Sequence, residues 1–444
     1  MLLDIKIPNN NVEERKYVID FFFKEYFAVP YIVSSGSFQD YVVSFNEKNL
    51  VINDCFFCKY EKPLSYIDKS NIPMDIICAK NVFTPESDIP VIFGSEKLRI
   101  EENTIDCGID IFASTFFLLT RWEEHVNIIR DQHNRFPGSA SVAYKCNFLH
   151  RPIVNEYAEM LWNMLIRLGY KGSRKLRRSE LFLTHDIDHI HFPKVNGIKL
   201  FIKNLYSFKF RNAGLYFYYL FYNPYNTFDW LMDLSEKYGQ VSRFYFKAAS
   251  KSRNQLYDSP YYLKSRFFKR LKVKIVNRKH IIGFHPGYNT FDNPDTWGVE
   301  RSLLNTSIGF NVTEGRQHFL RLNIPETFEI WDNNNMLIDS SAGYADIEGF
   351  RCGTGDEFNI FDFKNRRILR LKERPLIIME GTLKQCFGKD LEQAKKIFFY
   401  YIDSAKKYSM PLTLLFHNSS FNSVSWKSWD TLYEKVLCYF CKDN

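Results

Sequence analysis

The second half of the chain alternates short apolar runs with amphipathic stretches, and this alternation constrains the fold more than any other feature. Four of the runs are typical of buried strands: 181–184, 244–246, 281–284 and 412–416. Helices are predicted between them, for example at 229–238 and 391–408. Strands that alternate with helices indicate parallel β/α units, in either a barrel or a doubly wound sheet. The chemistry of such folds lies at the carboxyl ends of the strands.

The 444 residues, of which 45% are hydrophobic, suffice for two domains. Residues 1–170 mix short strands with helices, and helices are predicted at 110–125 and 153–168. A basic run follows, in which we interpret residues 171–180 as a solvated linker. We therefore predict a smaller α/β domain of unknown role at 1–170 and a second α/β domain at 181–444.

Charge and cysteine content limit the partners and the compartment. A net charge of +8 is a mild excess for this length, and no nucleic-acid-binding motif accompanies the basic run, so we expect no nucleic-acid partner. The first residues, MLLDIKIPNN, lack a signal-peptide pattern, and no apolar run approaches the ~20 residues of a membrane span. Nine cysteines, an odd number, fit reduced thiols. We expect a soluble cytoplasmic protein.

Two carboxylates follow the strand at 181–183, in the motif THDID at 184–188. Side chains alternate between the faces of a strand, so Asp186 and Asp188 point the same way, ~6.6–6.8 Å apart. Such a pair at a strand end, flanked by histidines, suits a metal site with an adjacent base. The alternative is an Asp that caps a helix beside a solvated turn.

Further strand ends repeat this pattern. They carry His285, Arg316 with His318, and His417. A single histidine at a strand end is more often structural than a metal ligand. Several titratable groups at the mouths of different strands in one domain, however, are typical of a metal-dependent active site. We therefore predict that these side chains meet the two carboxylates in one pocket, against the alternative of coincidental packing.

These motifs resemble those of the polysaccharide deacetylases, the NodB homology domain of carbohydrate esterase family four, in order and approximate spacing over residues 181–420. THDID resembles the first motif, which implies that Asp186 is the catalytic base and that Asp188 binds the metal. His285 matches the leading His of the second motif, a metal ligand. The resemblance implies a distorted (β/α) barrel at 181–444 and a divalent metal ion, for which we expect Zn²⁺.

The later motifs supply the remaining roles that the resemblance implies. Arg316 matches the Arg of the third motif, which pairs with the catalytic Asp. Asp339, in DSSAGY at 339–344, resembles the Asp of the fourth motif, which tunes the catalytic His. His417, in LFH at 415–417, matches the His of the fifth motif, the general acid.

The sequence departs from the family pattern at one ligand. The second motif usually carries another His four residues after the first, and here that position is Asn289. His318 falls where the third motif normally has Pro, and His189 follows the first motif directly. Any of the three could complete the site. Because Zn²⁺ prefers nitrogen ligands, we predict His318 as the third ligand. On an extended strand it would face the same side as Arg316.

The first domain is also similar to part of a bacterial subgroup of that family, which carries an extra N-terminal domain. The similar motifs are DIFAS at 110–114, RWEE at 121–124, DQH at 131–133 with Arg135-Phe136, and RPIVN at 151–155. These motifs are specific to the subgroup, but they are attached to no known chemistry. The role of this domain therefore stays open.

The activity that the resemblance implies is metal-dependent removal of N-acetyl groups from a sugar or polysaccharide, which makes an N-acetylated glycan the expected substrate. One alternative is the same site acting on an amide or ester of a non-sugar substrate. Another is a degenerate deacetylase that serves as a binding or scaffold component in cell-surface polysaccharide assembly. Metal content and substrate screening separate these hypotheses.

Residues 194–225 form an insertion after the first motif, in which lysines precede an aromatic run. A basic stretch beside aromatic residues is typical of a peripheral contact with a membrane surface, which would bring the protein to a lipid-linked glycan. Apolar helix stripes are more often core, however, so we favour a helix packed on the flank of the domain.

Overall fold

A computed structural model describes residues 1–248, 257–259, 261–388 and 390–442. The first half contains eight strands: β1 (Leu3–Pro8), β2 (Tyr31–Gly36), β3 (Tyr41–Phe45), β4 (Lys48–Ile52), β5 (Ile77–Ala79), β6 (Ile89–Val91), β7 (Gly94–Ile100) and β8 (Thr104–Ile109). Six of them form a mixed sheet in the order β2-β1-β3-β4-β8-β7, and β5 pairs with β6 separately.

Five α-helices accompany these strands: α1 (Val12–Ile19), α2 (Ile111–Thr120), α3 (Trp122–Val126), α4 (Val142–Lys145) and α5 (Ile153–Arg167). The Asp110 carboxylate caps α2, because it accepts a hydrogen bond from the Ala113 N–H at 2.9 Å. The helix predicted at 153–168 is confirmed by α5.

The helix predicted at 110–125 is wrong in one respect, because the structure breaks it at Arg121. Arg121 has a left-handed φ of 53° and separates α2 from α3. Its guanidinium is buried, with Nη2 at 2.9 Å from Glu123 Oε2 and Nε at 2.9 Å from Glu124 Oε1. The break therefore places one buried cation beside two buried carboxylates.

In the part of the second half that the structure describes, nine strands form one sheet: β9 (Leu181–Ile187), β10 (Ser242–Phe246), β11 (Ile281–Phe284), β12 (Glu314–Gly315), β13 (Ile338–Asp339), β14 (Phe358–Asp362), β15 (Arg367–Glu373), β16 (Ile378–Met379) and β17 (Leu412–Leu415). Their order is β14-β15-β13-β12-β11-β10-β9-β17-β16. All neighbours are parallel except β14 and β15. The predicted alternation of parallel strands with helices is thus present.

The closed barrel that the family resemblance implies is not found. Within the described residues the edge strands β14 and β16 do not pair with each other, so the sheet is open. The antiparallel strand β14 extends one edge, and β12, β13 and β16 have two residues each. Strands this short offer little backbone for the continuous staggered pairing that closes a barrel.

The described residues of the second half form nine α-helices: α6 (Lys194–Tyr206), α7 (Phe210–Tyr218), α8 (Phe228–Lys237), α9 (Arg266–Asn277), α10 (Pro294–Ile308), α11 (Glu326–Asn333), α12 (Glu380–Phe387), α13 (Leu391–Lys407) and α14 (Trp429–Cys441). In the ranges that the structure describes, no helix combines the length and the apolar content that crossing a bilayer requires.

The two sheets share one continuous apolar core. Tyr17 of α1 and Phe116 of α2 both pack on Phe361 of β14, with ring centroids 5.1 and 5.5 Å from it. The basic run between the halves is not simply solvated, which corrects the linker interpretation. Arg174 Nη1 lies 2.7 Å from Glu159 Oε1, and Arg177 Nη2 lies 2.5 Å from Asp356 Oδ1. Ion pairs with acids of both halves thus hold this segment in place.

Candidate active site

A cleft of about 300 Å³ lies at the carboxyl ends of β9, β11, β12 and β17. Its lining residues are Arg135, Asp186, Asp188, His285, His318, Phe319, Leu320, Ala345, Met379, Gly381, Gln385, Leu415 and His417. The structure therefore brings five of the predicted site residues into one pocket. Each arrives there because a parallel strand ends at the same edge of the sheet.

Asp188, His285 and His318 come close enough to share a metal ion. One potential ligand atom from each lies within 4.8 Å of the others. The Asp188 Oδ1 atom is 3.4 Å from His285 Nε2 and 3.2 Å from His318 Nε2. Two imidazole nitrogens and one carboxylate are a ligand set that Zn²⁺ accepts at catalytic sites.

The second nitrogen of each imidazole fixes which atom faces this cluster. His285 Nδ1 lies 2.6 Å from the Arg316 carbonyl oxygen, and His318 Nδ1 lies 2.8 Å from Asp258 Oδ1. Both partners accept, so each Nδ1 carries a proton and the Nε2 atom of each ring is the one that faces Asp188. The Asp188 Oδ1 atom is itself buried without a hydrogen-bond donor. Three converging lone pairs fit a cation.

The charges of the cluster shift the proton affinities of its members. Burial alone would raise the pKa of Asp188, but His318 and His285 hold it well below its usual range. Burial alone would likewise lower the pKa of His318, but the Asp188 and Asp258 carboxylates raise it. A proton and a metal ion therefore compete for the same imidazole nitrogen.

Asp186 is fixed beside this cluster by Arg316. Arg316 is fully buried at the end of β12, and its Nη1 donates to Asp186 Oδ1 at 2.9 Å and to Thr184 Oγ1 at 2.8 Å. Thr184 and Asp186 lie two residues apart on β9 and so face the same side. The other carboxylate oxygen, Oδ2, lies 3.8 Å from His285 Nε2. One oxygen is thus held by the guanidinium, and the other faces the cluster.

His417 contributes an imidazole that is held by a carboxylate. Its Nδ1 donates to Glu380 Oε1 at 2.8 Å, and its Nε2 lies 3.7 Å from Asp188 Oδ2. Glu380 Oε1 also accepts from the His417 backbone N–H at 2.9 Å and from Ser420 Oγ at 2.6 Å. Burial would lower the pKa of His417, but Glu380 raises it to about 10.

The prediction that Asp339 tunes His417 is wrong, because Glu380 occupies that place. Asp339 Oδ1 instead accepts from Ser341 Oγ at 2.5 Å, and the carboxylate lies beside that of Glu373. Burial raises the pKa of Asp339, and burial together with Asp339 raises that of Glu373. Each of these two buried carboxyl groups therefore loses its proton less readily than an exposed one.

The structure does not place the other candidate ligands in the cluster. Asn289 is exposed, and His189 is not among the converging ligand atoms of the described residues. His185 points to the opposite face of β9, where its Nδ1 donates to the Phe416 carbonyl at 2.7 Å and burial lowers its pKa to about 4. It is a core histidine.

His318 reaches the pocket by a different path from the one predicted. The strand ends at Gly315, and His318 begins a 3₁₀ turn that includes Leu320. Arg316 and His318 therefore share the pocket because the chain leaves the sheet between them, and strand alternation is not the cause.

The first half of the chain contributes directly to the pocket wall. Arg135 lines the cleft, donates from Nη1 to the Phe319 carbonyl at 3.0 Å and pairs with Asp131. Arg321 Nε donates to the His133 carbonyl at 2.8 Å. The DQH motif with Arg135 thus fixes the turn that carries His318. The sequence of the motif alone did not indicate this role.

Comparisons with known proteins give partial overlaps. Residues 3–170 match a family of unknown function (DUF7033). A search of curated proteins gives no match. A solved structure of a Mycobacterium smegmatis protein assigned as a polysaccharide deacetylase is similar, with a TM-score of 0.39 and 12% identity over 60% of this chain and 85% of that one. A mutant of a CE4 family pseudoenzyme with restored enzymatic activity has a TM-score of 0.29 and 10% identity over 58% and 62%.

Proposed function

We propose that the protein is a metal-dependent hydrolase that removes N-acetyl groups from a sugar or polysaccharide. The observation that carries the proposal is the convergence of three lone pairs, from Asp188, His285 and His318, beside a second carboxylate and a second imidazole. These three residues would hold a divalent ion, which would supply Lewis acidity and lower the pKa of a bound water molecule. The motif resemblance over 181–420 supports an N-acetylated glycan as the substrate.

The residues of the chain divide the proton transfers between them. Asp186 accepts a proton from the attacking water through the oxygen that Arg316 leaves free. Arg316 fixes the direction of that carboxylate. His417 donates a proton from Nε2 to the departing amine, which is otherwise a poor leaving group. Glu380 keeps His417 in the protonated form that this step requires.

The test separates ligands from the base. The full-length protein is supplied with Zn²⁺ or Co²⁺, its metal content is measured, and acetate release is followed with a panel of N-acetylated glycans. We expect Asp188→Ala to lose both metal and turnover, because a ligand is missing. We expect Asp186→Asn to keep the metal and to lose turnover by at least ~100-fold, because only the base is missing.

Three results would contradict the proposal in whole or in part. Equal metal content in the unmodified protein and in the Asp188→Ala variant would remove Asp188 from the ligand set. No metal in the unmodified protein after zinc and cobalt are supplied would favour a binding or scaffold role instead. Acetate release from non-sugar amides alone would support hydrolysis at this site but would contradict an N-acetylated glycan as the substrate.

A further inference from the structure

Helices α6 and α7 form a hairpin, here called the basic hairpin (194–222), whose apolar stripe faces solvent. Val195, Ile198, Ile202 and Leu205 recur at spacings of three, four and three residues, and all four are exposed. This spacing places them on one face of α6. The buried face of the helix carries Gly197 instead. The apolar stripe of α6 therefore faces solvent, whereas the apolar stripe of a surface helix normally packs on the core.

Aromatic residues extend this exposed surface. The other exposed large apolar side chains of the basic hairpin are Tyr206, Phe208, Phe210, Leu215, Phe217, Tyr218, Phe221 and Tyr222. Phe208 and Phe221 are each 80% exposed. Contiguous apolar surface of this kind on a protein marks an interaction site, because it is unfavourable in water.

All charged side chains of the basic hairpin are positive. Lys194, Lys199, Lys203, Lys209 and Arg211 are exposed, and no Asp or Glu occurs between His189 and Phe228. None of the five forms an ion pair with a residue in the described part of the chain. On α6, Lys199 and Lys203 directly follow stripe residues in sequence, so the cations flank the apolar stripe.

We propose that the basic hairpin binds the surface of an anionic phospholipid bilayer. Helices with an apolar face and flanking lysines lie in the bilayer interface, with the apolar side chains among the acyl chains and the cations at the phosphates. A second copy of the chain is a poorer occupant, because two such hairpins would bring ten basic groups and no acid together. The proposal stands independently of the deacetylase activity.

The base of the hairpin connects this surface to the pocket. Tyr219 Oη donates to the Asn422 carbonyl at 2.9 Å, and Asn418 Nδ2 donates to the His189 and Tyr225 carbonyls at 2.9 Å. Asn418 directly follows His417. A protein docked through the hairpin therefore holds the rim of the candidate active site close to the bilayer.

The experiment measures co-sedimentation of the full-length protein with vesicles of phosphatidylcholine alone and of phosphatidylcholine with 30 mol% phosphatidylglycerol (about one anionic lipid in three, in the range of charged leaflets). We expect binding to the anionic vesicles only, weakened in high salt. Lys199→Glu/Lys203→Glu should lower the binding constant at least about tenfold. Phe208→Asn/Phe221→Asn should weaken it several-fold through the lost apolar contact.

Matched controls change exposed residues on other elements. Lys62→Glu/Lys396→Glu has the same charge change, and Ile128→Asn removes a side chain that is 82% exposed. Both controls should bind as the unmodified protein does. Equal binding by the Lys199→Glu/Lys203→Glu variant and the unmodified protein overturns the proposal, as does no binding to either vesicle. A third outcome would assign this surface to a second copy of the chain: the unmodified protein is a dimer that does not bind vesicles, and Phe208→Asn/Phe221→Asn makes it a monomer.

Discussion

Position 318 decides whether the pocket has three metal ligands. His318 is held by Asp258 with its Nε2 atom toward Asp188, whereas Asn289, at the usual ligand position of the family resemblance, is exposed. In the proposed site the third ligand therefore comes from a different segment of the chain. Asp258 fixes both the tautomer and the direction of the ring, as a carboxylate behind a metal-bound histidine commonly does.

We expect His318→Ala to weaken zinc binding by more than about 100-fold, the upper end of what changing a residue behind a ligand produces. Asn289→Ala is the matched control and should bind zinc normally, because Asn289 is exposed. Competition with a chromophoric chelator measures both affinities. Loss of binding in the Asn289→Ala variant alone would show that the ligand assignment is wrong.

His417 should carry a proton throughout the neutral range in the metal-free protein. The Glu380 carboxylate raises its pKa to about 10 although burial acts in the other direction. An unfolded histidine releases its proton near pH 6.5. The resulting stabilisation is therefore complete below about pH 6.5 and is lost as the pH rises toward 10.

We expect Glu380→Gln to bring the titration midpoint of His417 below about pH 8, because the largest favourable charge is removed while burial remains. Titration of the imidazole resonances by NMR, without metal, measures both midpoints. His185 is an internal reference, since burial lowers its pKa to about 4 and Glu380→Gln should leave it neutral at neutral pH. An unchanged His417 midpoint would contradict the role of Glu380.

At the scale of elements, local sequence patterns predict those helices and strands whose boundaries depend on nearby residues. The helix predicted at 391–408 is found as α13, which Asp390 caps and whose apolar residues face the core. The helix predicted at 110–125 is instead interrupted at Arg121. That break depends on buried carboxylates and on Arg351, more than 200 positions away, which no window of local sequence contains.

The candidate site is predicted to the extent that its residues follow strands. Asp188, His285 and His417 each stand at or just after a strand end, and the structure brings them together. Glu380 follows the apolar run at 375–378 and gives the same signal, although the sequence analysis did not use it. Asp258 does not follow any apolar run that the sequence analysis identified as a strand, so only the folded chain shows that it faces His318.

At the scale of the molecule, a buried ion-pair network joins the two halves. Glu124 of the first half lies between Arg121 and Arg351, with its Oε1 atom 2.9 Å from the Nε atom of each guanidinium. Arg121 Nη2 also donates to Tyr344 Oη at 3.1 Å. The RWEE motif is attached to no known chemistry. Its buried side chains form part of the interface that holds the second half against the first.

We expect Glu124→Gln to lower the free energy of unfolding by about 3–5 kcal/mol, because two buried guanidinium groups lose their shared carboxylate. Glu434→Gln is the matched control, since it removes one carboxylate from an exposed pair with Lys237 and should change stability far less. Urea unfolding followed by tryptophan fluorescence gives both values. Equal effects of the two substitutions would mean that the buried network contributes no more than a surface pair.

The turn that carries His318 is held on one side by Arg135 and Asp131, which belong to the first half of the chain. A chimera that joins residues 1–170 of one relative to the remainder of another would thus inherit a ligand from one parent and its support from the other. Such a chimera would need compatible residues from both parents at the pocket wall and in the buried ion-pair network around Glu124. We therefore expect a substitution on one side of these contacts to require a matching substitution in the other half.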